Sequence, residues 1–280
     1  MPALAASAGP GGFLRRQGSR ARPLLSRLGE AAADLIAPGF CRECGVEVDA
    51  PREPLCSSCR ARIVWITSAC ARCGVPVVRA APAPCMEAVP GTGVPRLPPR
   101  CGVCELLRLR FDLAAAGGVY AGPLRTAILA FKFHSDPGVV PLLCEAAGRA
   151  ARSPALAPVL DRIEAIVPVP LHPLKRWWRG RDTALELARL VRNDLAPGRD
   201  VPLRDLLVKT RWTRSQVRLA EGPRRRNPRR SFAVRPRTHV PETVLLVDDV
   251  LTTGSTASEC ARALKRGGAR LVAVLAAARS

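Results

Sequence analysis

Hydrophobic positions follow two different patterns along the chain. Between residues 24 and 36 they recur every three or four residues, which predicts one helix that ends at Pro38 and Gly39. From about residue 111, short apolar runs typical of strands alternate with segments of helical spacing. The predicted strands cover 113–120, 163–169, 203–208, 244–247 and 271–275, and the predicted helices cover 123–133, 139–151, 183–195 and 255–266. This alternation predicts an α/β fold with a mostly parallel sheet.

The same pattern divides the chain into three predicted parts. Residues 1–23 show no apolar period and are predicted to be a flexible basic arm. Residues 24–110 combine the first helix with a cysteine-rich block, and residues 111–280 form the alternating α/β domain. A segment of about 170 residues buries roughly 70% of the surface of its unfolded chain, so this last part is expected to fold by itself.

The chain is strongly basic. It has 44 Lys and Arg against 23 Asp and Glu, a formal net charge of +21. A bias towards Ala, Arg, Pro and Gly accounts for part of that charge, but a field of this sign attracts phosphate-rich partners such as nucleotides, diphosphates, nucleic acid or anionic lipid. No apolar run reaches the ~20 residues of a membrane span, and the N-terminus lacks the pattern of a secretory signal. A cytoplasmic protein is therefore expected.

Eight of the eleven cysteines form four Cys-x2-Cys pairs. One such pair directs two thiolates at a tetrahedral ion, and two successive pairs complete a closed site of the kind that holds structural zinc. The pairs are Cys41 with Cys44, Cys56 with Cys59, Cys70 with Cys73, and Cys101 with Cys104. Disulfides or a redox pair are the alternative, although thiols in a reducing compartment are more often metal ligands. The sequence therefore predicts two structural zinc ions, with Cys85 in a Pro-rich loop and with Cys144 and Cys260 as core residues of helices.

The most specific stretch spans residues 244–256. An apolar strand is followed by Asp248 and Asp249 and then by a loop that opens a helix. The loop consists of Thr252, Thr253, Gly254, Ser255 and Thr256. Free N–H groups at the start of a helix bind phosphate, and the two carboxylates suit sugar hydroxyls or Mg²⁺. The stretch predicts a phosphate-binding turn at the carboxyl edge of the sheet, the alternative being an ordinary strand–turn–helix with a capping Asp.

This stretch resembles the signature with which type I phosphoribosyltransferases bind 5-phosphoribosyl-1-diphosphate (PRPP). The resemblance implies that Asp248 and Asp249 are the catalytic pair on the ribose 2- and 3-hydroxyls, that residues 252–256 cradle the 5-phosphate, and that Mg²⁺ accompanies PRPP. It also implies a diphosphate loop formed by Pro168, Val169, Pro170, Leu171 and His172. Residues 209–230 fall where that family has a flexible lid, which is expected to bring Arg214, Gln216 and Arg225 over the diphosphate.

From about residue 35 to the end, the arrangement resembles the ComF family. That family joins a double zinc ribbon to a phosphoribosyltransferase-type domain and is linked with DNA uptake in competent bacteria. Shared motifs begin at Phe131, Val167, Thr213, Arg224 and Phe232. Where the family usually reads Arg-Gly-Phe-Asn-Gln, residues 179–183 read Arg-Gly-Arg-Asp-Thr, a departure that bears on transferase turnover more than on ligand binding. His134 and His172 are candidate general bases, with an ordinary loop or helix-end histidine as the alternative.

Charge and aromatic residues cluster between residues 172 and 237, which hold 19 Lys and Arg against 6 Asp and Glu. Cations interleaved with tryptophans suit single-stranded nucleic acid, since Arg binds phosphates and Trp stacks on bases. The candidates are Arg176, Trp177, Trp178, Arg211 and Trp212. Alternatively, the arginines serve only a diphosphate and the tryptophans pack in the core. Two functions are therefore expected: a PRPP-binding transferase of unknown acceptor, or a non-catalytic factor that acts with DNA-uptake proteins by binding single-stranded DNA or sensing a phosphoribosyl ligand.

Overall fold

The computed structural model describes residues 39–48, 53–77, 101–171, 182–195, 199–210 and 231–280. The predicted basic arm, the first helix, the Pro-rich loop with Cys85 and most of the expected lid lie outside the described residues. The division of the chain between residues 110 and 111 stays a prediction. No helix among the described residues is long and apolar enough to cross a membrane.

A four-stranded sheet forms the centre of the described structure, with the strand order β1-β6-β5-β2. Its strands are β1 (Leu113–Val119), β2 (Ala165–Pro168), β5 (Thr243–Leu251) and β6 (Leu271–Arg279). Each neighbouring pair is parallel. Because β5 and β6 lie in the middle, their apolar runs are covered on both faces, as buried parallel strands require.

Helices cover both faces of this sheet. The described residues contain the α-helices α1 (Ser57–Ala61) and α2 (Gly102–Leu106) in the cysteine-rich segments, followed by α3 (Gly122–Leu129), α4 (Val140–Ala151), α5 (Ala157–Leu160), α6 (Thr183–Leu195) and α7 (Ser255–Arg266). α4 and α6 pack on one face, where Leu245 and Leu275 belong to the same core cluster. α7 packs on the other face together with a two-stranded antiparallel sheet of β3 (Leu207–Lys209) and β4 (Phe232–Val234). The predicted fold class is confirmed: an α/β structure with a mostly parallel sheet, preceded by cysteine-rich segments.

The Ala- and Gly-rich segment of β1 is a strand because of its packing. A Cβ atom added to Gly117 would lie 2.0 Å from the carbonyl oxygen of Ala146 in α4, and one added to Gly118 would lie 2.5 Å from Leu124 Cδ2. Such distances leave room only for a hydrogen, so the helix backbone lies directly against the strand. The two glycines weaken the local preference for a strand. They also permit the close contacts of β1 with α4 and with Leu124 that stabilise the strand.

Several element boundaries differ from the prediction: β5 and β6, for example, end four residues later than the predicted strands 244–247 and 271–275. The predicted helix 123–133 ends at Leu129 and continues as a π-helical turn, Ala130–His134. The predicted strand 203–208 is split, since its two ends pair with different partners. The Ile166 N–H donates to the Pro202 carbonyl at 3.0 Å beside β2, whereas Leu207 pairs with Val234 of β4.

The cysteine-rich segments extend the sheet at its β1 edge. The Ile66 N–H donates to the Gly117 carbonyl at 2.9 Å, and the Val119 N–H donates to the Val64 carbonyl at 2.8 Å. Trp65 pairs with Gly118 in an antiparallel bridge between these bonds. The segment that joins the two halves of the cysteine-rich block is thereby fixed to the central sheet.

Candidate metal centres and phosphate-binding site

Eight cysteines gather into two tetrads. The first tetrad is Cys41, Cys44, Cys56 and Cys59, and the second tetrad is Cys70, Cys73, Cys101 and Cys104. Within each tetrad all sulfurs lie within 4.8 Å of one another, and the sulfur pair of Cys44 and Cys56 is 3.7 Å apart. A tetrahedron with zinc–sulfur bonds of ~2.3 Å has edges of ~3.8 Å, whereas disulfide sulfurs lie only ~2.05 Å apart. The donor set therefore fits one zinc ion per tetrad, and the predicted sequential pairing of the cysteine motifs is confirmed.

A tight turn after the first cysteine pair of each tetrad directs its sulfurs inward. Gly45 and Gly74 have φ angles of +75° and +70°, the left-handed region that glycine adopts at no steric cost. Their N–H groups donate to the carbonyls of Cys41 and Cys70 at 2.9 and 2.8 Å. The glycine that follows the first Cys-x2-Cys motif of each tetrad therefore closes the turn.

Without a metal ion, the thiols of the second tetrad divide their protons unevenly. The hydrogen bond from the Cys73 thiol lowers the pKa of Cys70 to about 4, although burial opposes the shift. The same hydrogen bond raises the pKa of Cys73 well above its usual range. A bound divalent cation would stabilise all four as thiolates and release protons, cross-linking segments too short to bury a core of their own.

Asp248 and Asp249 lie on β5 near its carboxyl end, and Asp249 is held by two side chains from elsewhere in the chain. The Lys132 ammonium donates to Asp249 Oδ1 at 2.7 Å, and the Thr183 hydroxyl donates to Asp249 Oδ2 at 2.6 Å. The Asp249 N–H donates to Asp248 Oδ1 at 2.9 Å. Both oxygens of Asp249 thus have a donor, so its carboxylate is oriented before any ligand binds.

The carboxyl of Asp248 has a raised pKa. Burial and the adjacent charge of Asp249 raise the pKa of Asp248 to about 8, although Lys132 and the Asp249 N–H oppose the increase. Near neutral pH, Asp248 is therefore largely protonated. A cation or a hydroxyl donor placed between the two carboxyls would favour the ionised form of Asp248 and release its proton.

The predicted phosphate loop forms the start of α7. Gly254 has a φ of +72° and precedes the helix, while the residues on either side of it are exposed. A Cβ atom at Gly254 would lie 3.2 Å from Leu109 Cδ2 and from Phe111 Cε1. Thr253 Oγ1 donates to Ser255 Oγ at 3.0 Å. The Ser255 N–H donates to Thr253 Oγ1 at 3.4 Å, and exposed hydroxyls lie around the start of the helix, a place where phosphate binds in proteins.

Topology brings the proposed diphosphate segment to the same edge of the sheet. Pro168 at the end of β2 pairs with Val247, the residue before the carboxylates, and the Val169 N–H donates to the Val247 carbonyl at 2.9 Å. Pro170 and Leu171 continue from there. The remaining candidates lie outside the described residues: His172, Arg176, Trp177, Trp178, Arg211, Trp212, Arg214, Gln216 and Arg225.

The other singled-out residues have ordinary surroundings. Cys260 is fully buried in the core of α7, and Cys144 is half-buried in α4. Burial raises the pKa of the Cys260 thiol well above its usual range, so it is unreactive. His134 is exposed at the end of the π-helical turn.

Two residues of the carboxylate site, Lys132 and Thr183, were not predicted from the sequence. Lys132 stands in the shared Phe131 motif, and Thr183 ends the segment that departs from the family. Thr183 is only 2% exposed and reaches Asp249 from the start of α6, where Asp182 Oδ1 accepts the Leu185 N–H at 3.2 Å. The departing residues thus have local tasks, since the acid caps the helix and the hydroxyl holds a site carboxylate.

These observations define a class of protein: an α/β structure with two cysteine tetrads that fit one metal ion each beside a parallel sheet, and with a carboxylate pair and a hydroxyl-rich loop at that sheet's carboxyl edge. The chain is 32% identical over 183 residues to competence protein F of Haemophilus influenzae, which covers 64% of this chain and 78% of that protein. It is 29% identical over 247 residues to DNA utilization protein YhgH of Salmonella typhi, and 27% identical over 243 residues to YhgH of Escherichia coli K12; each match covers 86% of this chain and 96% of the relative. No family model matches the chain. From its similarity to competence protein F, the chain belongs to the ComF family.

Proposed function

We propose that this protein binds PRPP together with Mg²⁺ at the carboxyl edge of β5. One observation carries the proposal: an oriented carboxylate pair is followed, three residues later, by an exposed hydroxyl loop at the start of a twelve-residue helix. Phosphate and ribose hydroxyls require opposite partners, N–H donors for the first and acceptors for the second. The two kinds of partner stand here in the order that the type I phosphoribosyltransferase resemblance implies.

In this proposal each part of the site has one task. The loop N–H groups and the dipole of α7 bind the 5-phosphate, and the exposed hydroxyls of residues 252–256 add donors. Asp249, held in place by Lys132 and Thr183, accepts from a ribose hydroxyl through its remaining lone pairs, and Asp248 accepts from the neighbouring hydroxyl once it ionises. The carboxylate oxygens are also the ligands that Mg²⁺ prefers. A bound Mg²⁺ ion would offset the negative charge of the diphosphate beside residues 168–171.

Titration calorimetry with PRPP and Mg²⁺ tests the proposal. Each lost charge-assisted hydrogen bond costs about 1.5–3 kcal/mol, so we expect Asp248→Asn with Asp249→Asn to weaken binding at least tenfold. Asp161→Asn is the matched control, because this exposed acid precedes β2 and so lies at the opposite edge of the sheet. Equal affinity of the double variant and the control variant would overturn the proposal. Diphosphate assayed in the same samples separates binding from transfer to an acceptor.

A second candidate function, handling of DNA, is favoured by the names of the relatives, which refer to competence and to DNA utilization. We propose a role in DNA uptake or utilization in which the arginines and tryptophans between residues 172 and 237 bind single-stranded DNA. If so, binding of a labelled oligonucleotide should weaken steeply as salt rises, because neutralised phosphates release counterions. Replacing Trp178 or Trp212 by Ala should cost about 1–3 kcal/mol per stacked base. No binding at low salt would remove this function and leave the PRPP site.

A further inference from the structure

Arg279, the penultimate residue of the chain, is buried between the second tetrad and the phosphate loop. It is only 4% exposed, and its four partners among the described residues are backbone carbonyls. Its Nε donates to the Cys73 carbonyl at 3.2 Å, while its Nη1 donates to the Leu251 carbonyl at 2.9 Å and also to the carbonyl of Thr252. One guanidinium therefore joins a predicted metal ligand to the first residue of the phosphate loop.

The segment that follows the second cysteine pair of this tetrad reaches the middle of the same loop. Cys104 is followed by a short segment in which Leu109 and Phe111 pack against Gly254, leaving 3.2 Å to the position of a Cβ atom. The Arg110 N–H donates to Ser258 Oγ in the first turn of α7 at 3.3 Å. The two arms of the second tetrad thus contact the phosphate loop at its first residue, Thr252, and at its central glycine, Gly254.

The turn of the second tetrad also packs on β5, which leads into the loop, and on β1. A Cβ atom at Gly74 would lie 3.6 Å from Leu251 Cδ2 and from the Ala114 carbonyl oxygen. The Ala114 N–H donates to the Ala71 carbonyl at 3.0 Å. Beside the first tetrad, by contrast, Arg60 forms an ion pair with Glu145 in α4 at 2.6 Å, away from the phosphate loop.

We propose that the metal ion of the second tetrad positions the phosphate loop, and that Arg279 transmits this effect as a positioning residue. A bound metal fixes Cys73 relative to Cys104, and these two arms then hold residues 251–254 in the conformation that directs N–H groups at an anion. Metal in the first tetrad has no such effect on the loop. The inference rests on the proposed function only in taking the loop's ligand to be the phosphate of PRPP.

The test compares two arginine variants of the full-length, metal-loaded protein. Arg279→Met removes the guanidinium that joins the two regions. Arg270→Met is the control, because Arg270 precedes the other end of the same strand and forms an exposed ion pair with Glu242. The readouts are metal content, PRPP affinity, and hydrogen exchange of the amides of residues 252–256.

We expect both variants to retain two metal ions. Arg279→Met should exchange its loop amides at least tenfold faster and bind PRPP about tenfold more weakly, whereas Arg270→Met should match the unaltered protein in both. Arg279→Lys keeps the charge but lacks the planar fork that donates in two directions, so its affinity should fall between those of the unaltered protein and Arg279→Met. Unchanged exchange and affinity in Arg279→Met would overturn the inference.

A second pair of variants keeps the test decisive if Arg279→Met does not fold. Leu109→Ala removes the contact on Gly254 without altering a cysteine, and Leu107→Ala is its control, two residues nearer to Cys104. Only the first of these should accelerate exchange in the loop; equal exchange in both would contradict the inference. If the unaltered protein does not bind PRPP, the proposed function fails, but hydrogen exchange still decides whether the tetrad positions the loop.

Discussion

The two tetrads share one donor set and one type of glycine turn, yet they are attached to the rest of the molecule differently. Around the first, side-chain ion pairs join Arg42 to Asp136 and Arg60 to Glu145, both with partly exposed groups. Around the second, backbone hydrogen bonds and the buried Arg279 join the turn to β1 and to the end of β5. The same donor set is therefore joined to the fold by partly exposed ion pairs in one place and by buried contacts next to residues 251–254 in the other.

Removing each metal centre in turn is the strongest test of this difference. Apparent binding free energies of structural zinc reach roughly 10–16 kcal/mol near neutral pH, so loss of either centre should be severe. We expect Cys41→Ser with Cys44→Ser, and likewise Cys70→Ser with Cys73→Ser, to reduce zinc from two ions to one and to lower the melting temperature strongly. Elemental analysis and calorimetry measure both effects.

Only the second of these double variants should alter the phosphate loop. Its loop amides should exchange faster in hydrogen-exchange mass spectrometry, while those of the first double variant stay protected. Equal loosening in both variants would show that the two centres do not differ in function. Zinc-free protein whose cysteine pairs form disulfides would contradict the assignment of metal centres altogether.

Asp248 gives the carboxylate site a pH dependence that can be measured without substituting any cysteine. The pKa of Asp248 is raised from 3.8 to about 8, so the folded protein holds a proton that the unfolded chain has lost. This contribution to stability is complete below the unfolded pKa and is lost as pH rises through about 8. One proton contributes a slope of at most about 1.4 kcal/mol per pH unit.

Denaturant titrations between pH 6 and pH 9 can measure that slope. Asp248→Asn should have a shallower fall in the free energy of unfolding than the unaltered protein, and metal content should stay the same in both. PRPP with Mg²⁺ should release a proton on binding near neutral pH, seen as a buffer-dependent heat. Parallel pH profiles for the two proteins would contradict the raised pKa.

Matched glycine substitutions test the different packing of the two turns. A leucine at Gly45 or at Gly74 must adopt a positive φ, which costs roughly 1–2 kcal/mol at either position. Space is open around Gly45, but Leu251 and Ala114 surround Gly74. We therefore expect Gly74→Leu to lose about 1–3 kcal/mol more than Gly45→Leu in chemical denaturation, the usual cost of overpacking. Equal losses would mean that the second turn is no more tightly packed than the first.

The smallest effect is expected for the ion pairs beside the first tetrad. The Arg60–Glu145 pair is partly exposed, so Arg60→Ala should lower the free energy of unfolding by only ~0.2–1 kcal/mol, and less at high salt. Arg62→Ala is the control, since the distance from Arg62 to Glu43 is already 4.0 Å. A loss of several kcal/mol for Arg60→Ala would show that this ion pair strongly stabilises the segment around the first tetrad. It would weaken the contrast between the attachments of the two tetrads.

Local motifs could be recognised from the sequence because each is complete within a few residues. The spacing of the cysteines predicted both tetrads. The run 244–256 predicted a buried strand, two carboxylates and a helix start, all of which the structure contains. The predicted strand 203–208 was wrong in part, because its two ends pair with different distant segments, whereas the predicted helix 123–133 is helical throughout and changes to a π-helical turn at Ala130.

Partnerships between distant residues were decided only by the tertiary structure. Lys132 and Thr183 are 117 and 66 positions from the Asp249 that they hold, and Arg279 is 206 positions from Cys73. The pattern of apolar and polar residues encodes which faces become buried, but not which distant side chains meet. That choice follows from the strand order β1-β6-β5-β2, which brings the end of the chain beside β5 and the second tetrad.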